Sequence, residues 1–250
     1  MLSRLRHWSL HLSARLPALV PSSCALCGMV DDDTICGSCR VRFFAVRKHR
    51  CTQCATPLPG ITPASAQRCG DCLKQPPAFD ATFVAADYTP PIDQLVLALK
   101  FGSRLALAPL FARMLCDALL HEQAQALALP TQLIAVPLGA QRLTERGFNQ
   151  ALEIARPLSR ALGIALDPHL VLRQRETDAQ ALLHPDERHK NIRHAFMVAH
   201  GAVDGVRGRH IGVVDDVITT GETLHEMAAT LKRFGATRVT NFVFARTLQK

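Results

Sequence analysis

The feature that most constrains the fold of this chain is a group of cysteines close to its amino terminus. Eight of the nine cysteines form four Cys-x-x-Cys pairs, all within residues 24–72. The pairs are Cys24/Cys27, Cys36/Cys39, Cys51/Cys54 and Cys69/Cys72. Each pair can place two thiolates in one tight turn, and a structural zinc ion takes four such ligands in a tetrahedron. Four turns therefore predict two structural zinc sites.

Two other uses of paired cysteines fit this pattern less well. Disulfides belong mainly to secreted proteins, and the first 20 residues lack the charge-then-apolar order of a secretory signal. A redox site uses a single Cys-x-x-Cys pair beside a βαβ unit, not four pairs. Which pairs share a metal stays open at this point. Sequential pairing leaves gaps of 8 and 14 residues between the turns, and interleaved pairing would also work.

The segment ahead of the cysteines predicts an amphipathic helix over residues 1–22. Leucines and Trp8 recur at spacings of three and four, with Arg4, Arg6 and Arg15 among them. We expect this helix to pack on its own domain, and the alternative is a helix that docks on a membrane surface or a partner. Because no apolar run reaches about 18 residues, we expect no membrane span and a cytoplasmic location.

The formal net charge of +8 permits a phosphate-rich partner but does not require one. Residues 1–80 hold ten Lys and Arg against five Asp and Glu, so the basic excess lies mostly in the first third. Two sites with four thiolates around each Zn²⁺ would add about −4 and leave the chain near +4.

Residues 79–250 are predicted to form an α/β domain. Short apolar runs such as 133–136 alternate with segments of helical period such as 224–234. This alternation is typical of a parallel sheet with helices on both faces. Pro157 should kink or break the helix that the pattern predicts over 148–162. Ligands of such sheets bind beyond the carboxyl ends of the strands.

One segment joins an apolar strand to two acids and a turn. The run 211–214 leads into Asp215 and Asp216, and a Thr-Thr-Gly turn precedes the next helix. Free N–H groups at a helix start bind phosphate, and Gly221 lets the backbone approach the anion closely. The carboxylates can accept hydrogen bonds from a sugar diol beside that phosphate. The segment therefore predicts a ribose 5-phosphate site. A plain helix cap is the alternative, but a cap needs only one such residue.

Residues 213–223 resemble the phosphoribosyl pyrophosphate motif of type I phosphoribosyltransferases, in which two apolar residues and two acids precede a threonine-rich glycine turn. Four Cys-x-x-Cys pairs ahead of such a domain are similar to the ComF family, which includes proteins associated with DNA uptake in natural competence. Further parts of the resemblance are Leu99-Lys100-Phe101, Val136-Pro137-Leu138, Arg146-Gly147-Phe148-Asn149-Gln150, and the loop that bears Arg175, Thr177, Gln180, Arg188, Asn191 and Phe196.

The resemblance implies a parallel-sheet type I phosphoribosyltransferase fold over residues 79–250 and a small double zinc ribbon, with four cysteines to each metal, over 23–78. Asp215 and Asp216 would bind the ribose hydroxyls, and residues 138–142 would form the loop under the pyrophosphate. The expected donor-binding residues are Leu138, Gly139, Ala140, Arg142, Asp215, Asp216, Thr219, Thr220, Gly221, Glu222 and Thr223. Mg²⁺ would accompany the donor, held mainly by pyrophosphate and ribose oxygens.

Three arginines are the candidate catalytic residues. Arg146 lies just beyond the pyrophosphate loop, and Arg175 and Arg188 lie in the polar segment 174–193, which we expect to close over the reacting groups. Arginine suits phosphate oxygens, so these side chains would stabilise the departing pyrophosphate. Closure of the loop would exclude water from a reactive sugar cation. The alternative for each arginine is a solvated surface charge.

Two hypotheses of different classes follow. In the first, the protein is an enzyme that transfers phosphoribosyl to an unknown nitrogen nucleophile and releases pyrophosphate. In the second, it is a non-catalytic adaptor that senses the donor while its ribbons dock single-stranded DNA or a competence protein such as a helicase. The loop arginines favour the enzyme. An amino-terminal third devoted to ribbons favours the adaptor.

Overall fold

The computed structural model describes residues 22–45, 48–59, 68–122, 128–174 and 194–248. The chain divides into two compact units, Met1–Arg47 and Lys48–Lys250. In the first unit, strands β1 (Ser22–Ser23) and β2 (Val30–Asp31) pair antiparallel, and helix α1 (Gly37–Phe44) follows. The amphipathic helix predicted for residues 1–22 lies outside the described residues except for Ser22. The predicted domain boundaries stay predictions.

The second unit is built on a parallel sheet of five strands. They are β3 (Ala81–Asp87), β4 (Gln132–Ala135), β5 (Ala165–Leu166), β8 (His210–Ile218) and β9 (Arg238–Arg246). Their order across the sheet is β3-β9-β8-β4-β5, and every neighbouring pair is parallel. Two further strands, β6 (Val171–Arg173) and β7 (Phe196–Val198), form a separate antiparallel pair.

Six described helices belong to this unit. They are α2 (Gly70–Lys74), α3 (Ile92–Phe101), α4 (Leu107–Glu122), α5 (Ala140–Arg146), α6 (Gln150–Leu162) and α7 (Glu222–Arg233). Helices α4 and α6 pack on each other and on the sheet, and α7 packs on β9 and β7. The core lies along these contacts, where the ring of Phe111 stacks on that of Phe244 with 3.5 Å between centroids. Such burial of apolar side chains is the main stabilising contribution of the sheet.

Two local expectations need correction. Helix α6 runs from Gln150 to Leu162 with Pro157 inside it, so the break expected at this proline does not occur. Asn149 caps its first turn, and Ile154, Ala155 and Leu158 are buried, so packing and capping hold the helix past the missing hydrogen bond. The residues after β4 form a loop only over 136–139, because helix α5 begins at Ala140.

The strand order creates one point in the sheet where the chain connections run in opposite directions. Strands β8 and β4 are neighbours, but the chain leaves β8 toward β9 on one side and leaves β4 toward β5 on the other. The connections therefore diverge between β8 and β4 and open a crevice beyond their carboxyl ends. In open α/β sheets this crevice is the usual place for a ligand.

Candidate functional site

The two acids of the predicted motif lie at the carboxyl end of β8, the central strand. Asp216 is 3% exposed, whereas Asp215 is partly exposed. The backbone N–H of Asp216 donates to Oδ1 of Asp215 at 2.9 Å. The pKa of Asp215 is raised to about 8, mainly by burial and next by the neighbouring Asp216 charge, while Lys100 opposes the shift. The charged form of Asp215 is therefore disfavoured relative to that of a free aspartate.

Lys100 at the end of α3 is the charged partner of the buried acid. Its Nζ lies 2.6 Å from Oδ2 of Asp216. Gln150 of α6 donates from Nε2 to the other carboxylate oxygen, Oδ1, at 3.4 Å. A buried charge is tolerated when it is paired and hydrogen-bonded. The motif acid is thus held by side chains from two helices that lie far from it in the sequence.

Arg146 extends this network. Its Nη1 donates to Oε1 of Gln150, and its guanidinium lies over the ring of Phe101 at 5.2 Å from the centroid. Burial lowers the pKa of Arg146, with Asp216 opposing that shift and Arg142 adding to it. Arg146 is therefore linked through Gln150 to the buried acid. Its catalytic role stays a prediction.

The turn after β8 ends at a glycine that precedes the next helix. Gly221 has φ of 91° and is the N-cap of α7, so the helix begins with a residue that has no side chain to cap it. Only glycine adopts such a φ readily. Thr219 and Thr223 are partly exposed and Thr220 is exposed. Helix α7 thus starts just beyond the carboxyl end of β8, and the free N–H groups of such a helix start are suited to an anion.

The loop after β4 forms the other wall. The N–H of Val136 donates to the carbonyl of Val214 at 3.0 Å, which continues the sheet pairing up to the loop. Asn149 donates from Nδ2 to the carbonyl of Val136 at 3.0 Å. Leu138 is partly exposed and Gly139 is buried. The expected pyrophosphate loop and the expected phosphate turn therefore face the same crevice from neighbouring strands.

The strand pair β6 and β7 adjoins this loop. Arg173 of β6 donates from Nη1 to the carbonyl of Pro137 at 3.5 Å, and its guanidinium lies 5.6 Å from the ring centroid of Phe196 in β7. The polar segment 174–193 joins these two strands. Arg175 and Arg188, the other predicted catalytic residues, lie outside the described residues.

The eight paired cysteines form two clusters of four. The first cluster is Cys24, Cys27, Cys36 and Cys39, and the second is Cys51, Cys54, Cys69 and Cys72. In each cluster the four sulfur atoms lie within 4.8 Å of one another, so the pairs are shared sequentially and not interleaved. All eight are free thiols.

The geometry of both clusters fits zinc. Zn–S bonds of about 2.3 Å in a tetrahedron place sulfurs roughly 3.8 Å apart. The Sγ atoms of Cys27 and Cys36, and those of Cys54 and Cys69, lie 3.6 Å apart. Both clusters thus have the ligand type, number and spacing that suit a structural zinc ion.

Lys100 and Gln150 belong to the segments that carry the family resemblance, but no local pattern around them indicates a role in the site. A lysine near a helix end is usually solvated. Two adjacent acids at a buried strand end indicate that a cation is needed nearby. The sequence does not show which lysine or arginine supplies it.

None of the described helices is long and apolar enough to cross a membrane.

Comparison with known proteins gives two family matches. Residues 16–73 match the double zinc ribbon domain, and residues 149–250 match the phosphoribosyl transferase domain. The DNA utilization protein YhgH of Salmonella typhimurium is 38% identical over 232 residues, which are 92% of this chain and 99% of that protein. Competence protein F of Haemophilus influenzae is 35% identical over 182 residues, 72% of this chain and 79% of the relative.

Among solved structures, a B. subtilis glutamine phosphoribosylpyrophosphate amidotransferase complexed with ADP and GMP aligns with a TM-score of 0.36 and 18% identity. The alignment covers 55% of this chain and 26% of that one. The family matches and the parallel sheet confirm the predicted fold class, a phosphoribosyltransferase fold with amino-terminal four-cysteine ribbons.

Proposed function

This chain belongs to the ComF family, and from that premise we propose that it binds phosphoribosyl pyrophosphate and transfers its phosphoribosyl group to a nitrogen acceptor. One observation carries the proposal. Two acids near the end of the central strand are followed, after four intervening residues, by a helix start with glycine at its N-cap, at the point where the sheet connections diverge. This arrangement offers acceptors for a sugar diol next to donors for a phosphate.

Different residues bind different parts of the donor. Asp215 and Asp216 accept hydrogen bonds from the ribose hydroxyls, and the turn from Thr219 to Thr223 binds the 5-phosphate. The loop 136–139 and the start of α5 lie on the side of the pyrophosphate. Lys100 balances the charge of the buried Asp216 carboxylate, so the acid keeps its place before the donor arrives.

The reaction needs no covalent intermediate on the protein. The bond between ribose C1 and the pyrophosphate oxygen breaks, and its electron pair leaves with pyrophosphate. The acceptor nitrogen supplies the pair for the new C1–N bond and loses a proton to solvent or to a nearby base. Arg146, Arg175 and Arg188 are the arginines proposed to stabilise the charge that builds on the leaving group, and Arg142 is proposed to bind the donor beside them.

Two metals accompany this proposal. Zinc in the two cysteine clusters is structural, since four cysteine ligands leave no open position. Mg²⁺ prefers oxygen ligands and keeps several waters, so it would be held mainly by ribose and pyrophosphate oxygens beside the motif acids. It would supply positive charge to the departing pyrophosphate. Reduced cysteine clusters of this kind are consistent with the cytoplasm.

The setting of the reaction follows from the relatives. Their names refer to DNA utilization and to competence. We extend this to the chain as a role in the uptake or use of DNA, with single-stranded DNA or a competence helicase as candidate partners. The acceptor itself is left to experiment.

One observation favours the adaptor as a second candidate. The first cysteine cluster belongs to the smaller unit, which ends at Arg47, and no residue proposed for donor binding belongs to that unit. A metal-folded unit that contributes nothing to donor binding is suited to docking a partner. In this case donor binding would signal and no transfer would take place.

The two candidates are separated by following pyrophosphate. Labelled donor with Mg²⁺ is incubated with the protein and a metabolite extract, and pyrophosphate release is measured. Release that depends on the extract supports transfer. The Asp215→Asn, Asp216→Asn double variant should bind the donor more weakly, by about 1.5–3 kcal/mol for each lost charged hydrogen bond. Asp80→Asn, an acid on the protein surface, is the matched control and should bind normally.

If calorimetry shows donor binding by the wild type but no extract releases pyrophosphate, the adaptor is supported. If the double variant binds the donor as tightly as wild type, the ribose does not lie at these acids.

A further inference from the structure

The second cysteine cluster lies in the same compact unit as the sheet. Its first turn, Cys51–Cys54, is hydrogen-bonded to the segment 77–79. Gln53 lies between Cys51 and Cys54 and is buried. Its Nε2 donates to the carbonyl of Phe79 at 2.9 Å and to that of Pro77 at 3.2 Å. These two bonds fix the segment 77–79 to the cysteine turn.

The segment 77–79 in turn lies against the phosphate turn. Phe79 is buried, and its ring carbon Cζ comes within 3.8 Å of the position that a Cβ at Gly221 would take. The N–H of Ala78 donates at 3.1 Å to Nδ1 of His225, in the first turn of α7. The backbone that presents N–H groups to a phosphate thus rests on residues held by the cysteine turn.

A second connection runs through Arg246, the last residue of β9. It is 2% exposed, and its Nη2 donates to Oγ1 of Thr56 at 2.7 Å, while Cys54 Sγ lies 3.2 Å from the same oxygen. Among the described residues, its Nε and Nη1 have no hydrogen-bond partner. Burial lowers the pKa of Arg246, and the cysteines of the second cluster oppose that shift. Four thiolates on Zn²⁺ carry a net charge of about −2, so the metal site supplies the counter-charge that this guanidinium requires.

Arg246 lies at the carboxyl end of the sheet, the same end as the proposed donor site. The N–H of Tyr88 donates to the carbonyl of Arg246 at 2.6 Å, and Arg50, one residue before the cluster, pairs with Asp87 at 2.7 Å. Charges of Lys100 and Asp216 act on the pKa of Tyr88, which burial raises. Arg246 also pairs in register with Ile218, two residues after Asp216, so both connections from the second cluster reach the turn that follows the motif acids or its neighbour strand.

We propose that metal at the second cysteine cluster sets the position of the phosphate turn, so that donor binding depends on metal at this cluster and not on metal at the first. The donor part of this statement rests on the proposed function. Structural zinc sites fold with their metal, so without it the Cys51–Cys54 turn loses the shape that aims Gln53 at Phe79. The turn around Gly221 then loses its support.

The test compares one pair of matched variants in the full chain. Cys51→Ser with Cys54→Ser removes the second site, and Cys24→Ser with Cys27→Ser removes the first. Each is expected to retain one zinc by elemental analysis. Hydrogen exchange of the amides in residues 217–225 should be at least about tenfold faster in the second-site variant and unchanged in the first-site variant. Binding of phosphoribosyl pyrophosphate with Mg²⁺ should weaken about tenfold or more in the second-site variant alone.

A milder variant covers the case in which the second-site variant does not fold. Gln53→Ala keeps all eight cysteines and should keep two zinc ions, yet exchange at 217–225 should still be several-fold faster because both bonds to the segment 77–79 are lost. Equal exchange at 217–225 in Gln53→Ala and wild type, or equal effects of the two cysteine variants, would overturn the proposal. Exchange needs no donor. If it follows the expected pattern while wild type binds no donor, the metal dependence of the turn stands and the proposed function fails.

Discussion

Lys100 provides the sharpest test of how the site is held together. Lys100→Met removes the cation that lies 2.6 Å from the buried Asp216 carboxylate and keeps the length of the side chain. Methionine and lysine have similar helix propensities, so helix α3 itself should be little affected. The change leaves a buried acid with Gln150 as its one remaining side-chain hydrogen-bond donor among the described residues.

The size of the effect follows from burial. Removing one partner of a buried ion pair costs about 3–5 kcal/mol, because the other charge is left without compensation. The side chain of Asp216 is 4% exposed, whereas the side chain of Lys100 is 23% exposed. Water therefore reaches part of the ion pair. We therefore expect a loss of about 2–3 kcal/mol in the free energy of unfolding.

Lys232→Met is the matched control. Lys232 also lies in the last turn of a helix and pairs with an aspartate, Asp80, at 2.8 Å, but both side chains are 35% exposed. An exposed pair of this kind contributes about 0–1 kcal/mol. Urea unfolding followed by circular dichroism, with zinc present throughout, gives both values. The midpoint should shift strongly for Lys100→Met and little for Lys232→Met.

A double variant separates the charge effect from simple loss of packing. Adding Asp216→Asn to Lys100→Met removes the uncompensated charge and should recover at least about half of the lost free energy. The reasoning is refuted if Lys100→Met costs no more than Lys232→Met, or if the second substitution recovers nothing. Either result would mean that the ion pair does not hold the motif acid in place.

Metal content, pH and the loop arginines give three further tests. Protein purified without added metal should contain close to two zinc ions per chain, because two clusters of four thiols are present; eight cysteines found in disulfides would contradict this. Donor affinity measured by calorimetry should rise as the pH increases from 6 and level off above about 8, since Asp215 with a pKa of about 8 must lose its proton to accept strongly from ribose hydroxyls and Mg²⁺. Asp215→Asn should abolish that dependence, and a slope that survives it would assign the proton elsewhere. Arg175→Ala or Arg188→Ala should slow pyrophosphate release by about 100-fold with much less effect on donor affinity; an effect on affinity alone would favour the adaptor.

The elements that could be predicted from the sequence are those with local signals. The apolar run before Asp215 and the helical period after Gly221 predicted β8 and α7, because each pattern lies within about a dozen residues. The zinc clusters were predictable for the same reason, since each Cys-x-x-Cys turn is a local structure. The sharing of pairs was not predictable, because both arrangements satisfy the loop lengths.

The remainder depends on contacts between distant segments. No local pattern indicates that Lys100 pairs with Asp216, or that Gln150 links Arg146 to the same acid. These contacts exist because α3 and α6 bring residues from different parts of the chain to the carboxyl end of β8. Helix α6 passes through Pro157 for a similar reason: burial of its apolar face outweighs the local preference of proline.

The position of the second cluster changes how the two functional candidates compare. From the sequence, all four cysteine turns argued for an adaptor, because a small-molecule transferase has no need of ribbons. In the structure, Gln53 and Arg246 connect the second cluster to the segment 77–79 and to the end of β9, so this cluster would have a use within the proposed transferase. Only the first cluster, in the unit that ends at Arg47, is left without a role in the donor site. A partner such as DNA or a helicase is therefore best sought on the first cluster, and an enzyme that carries its own docking unit accounts for both clusters at once.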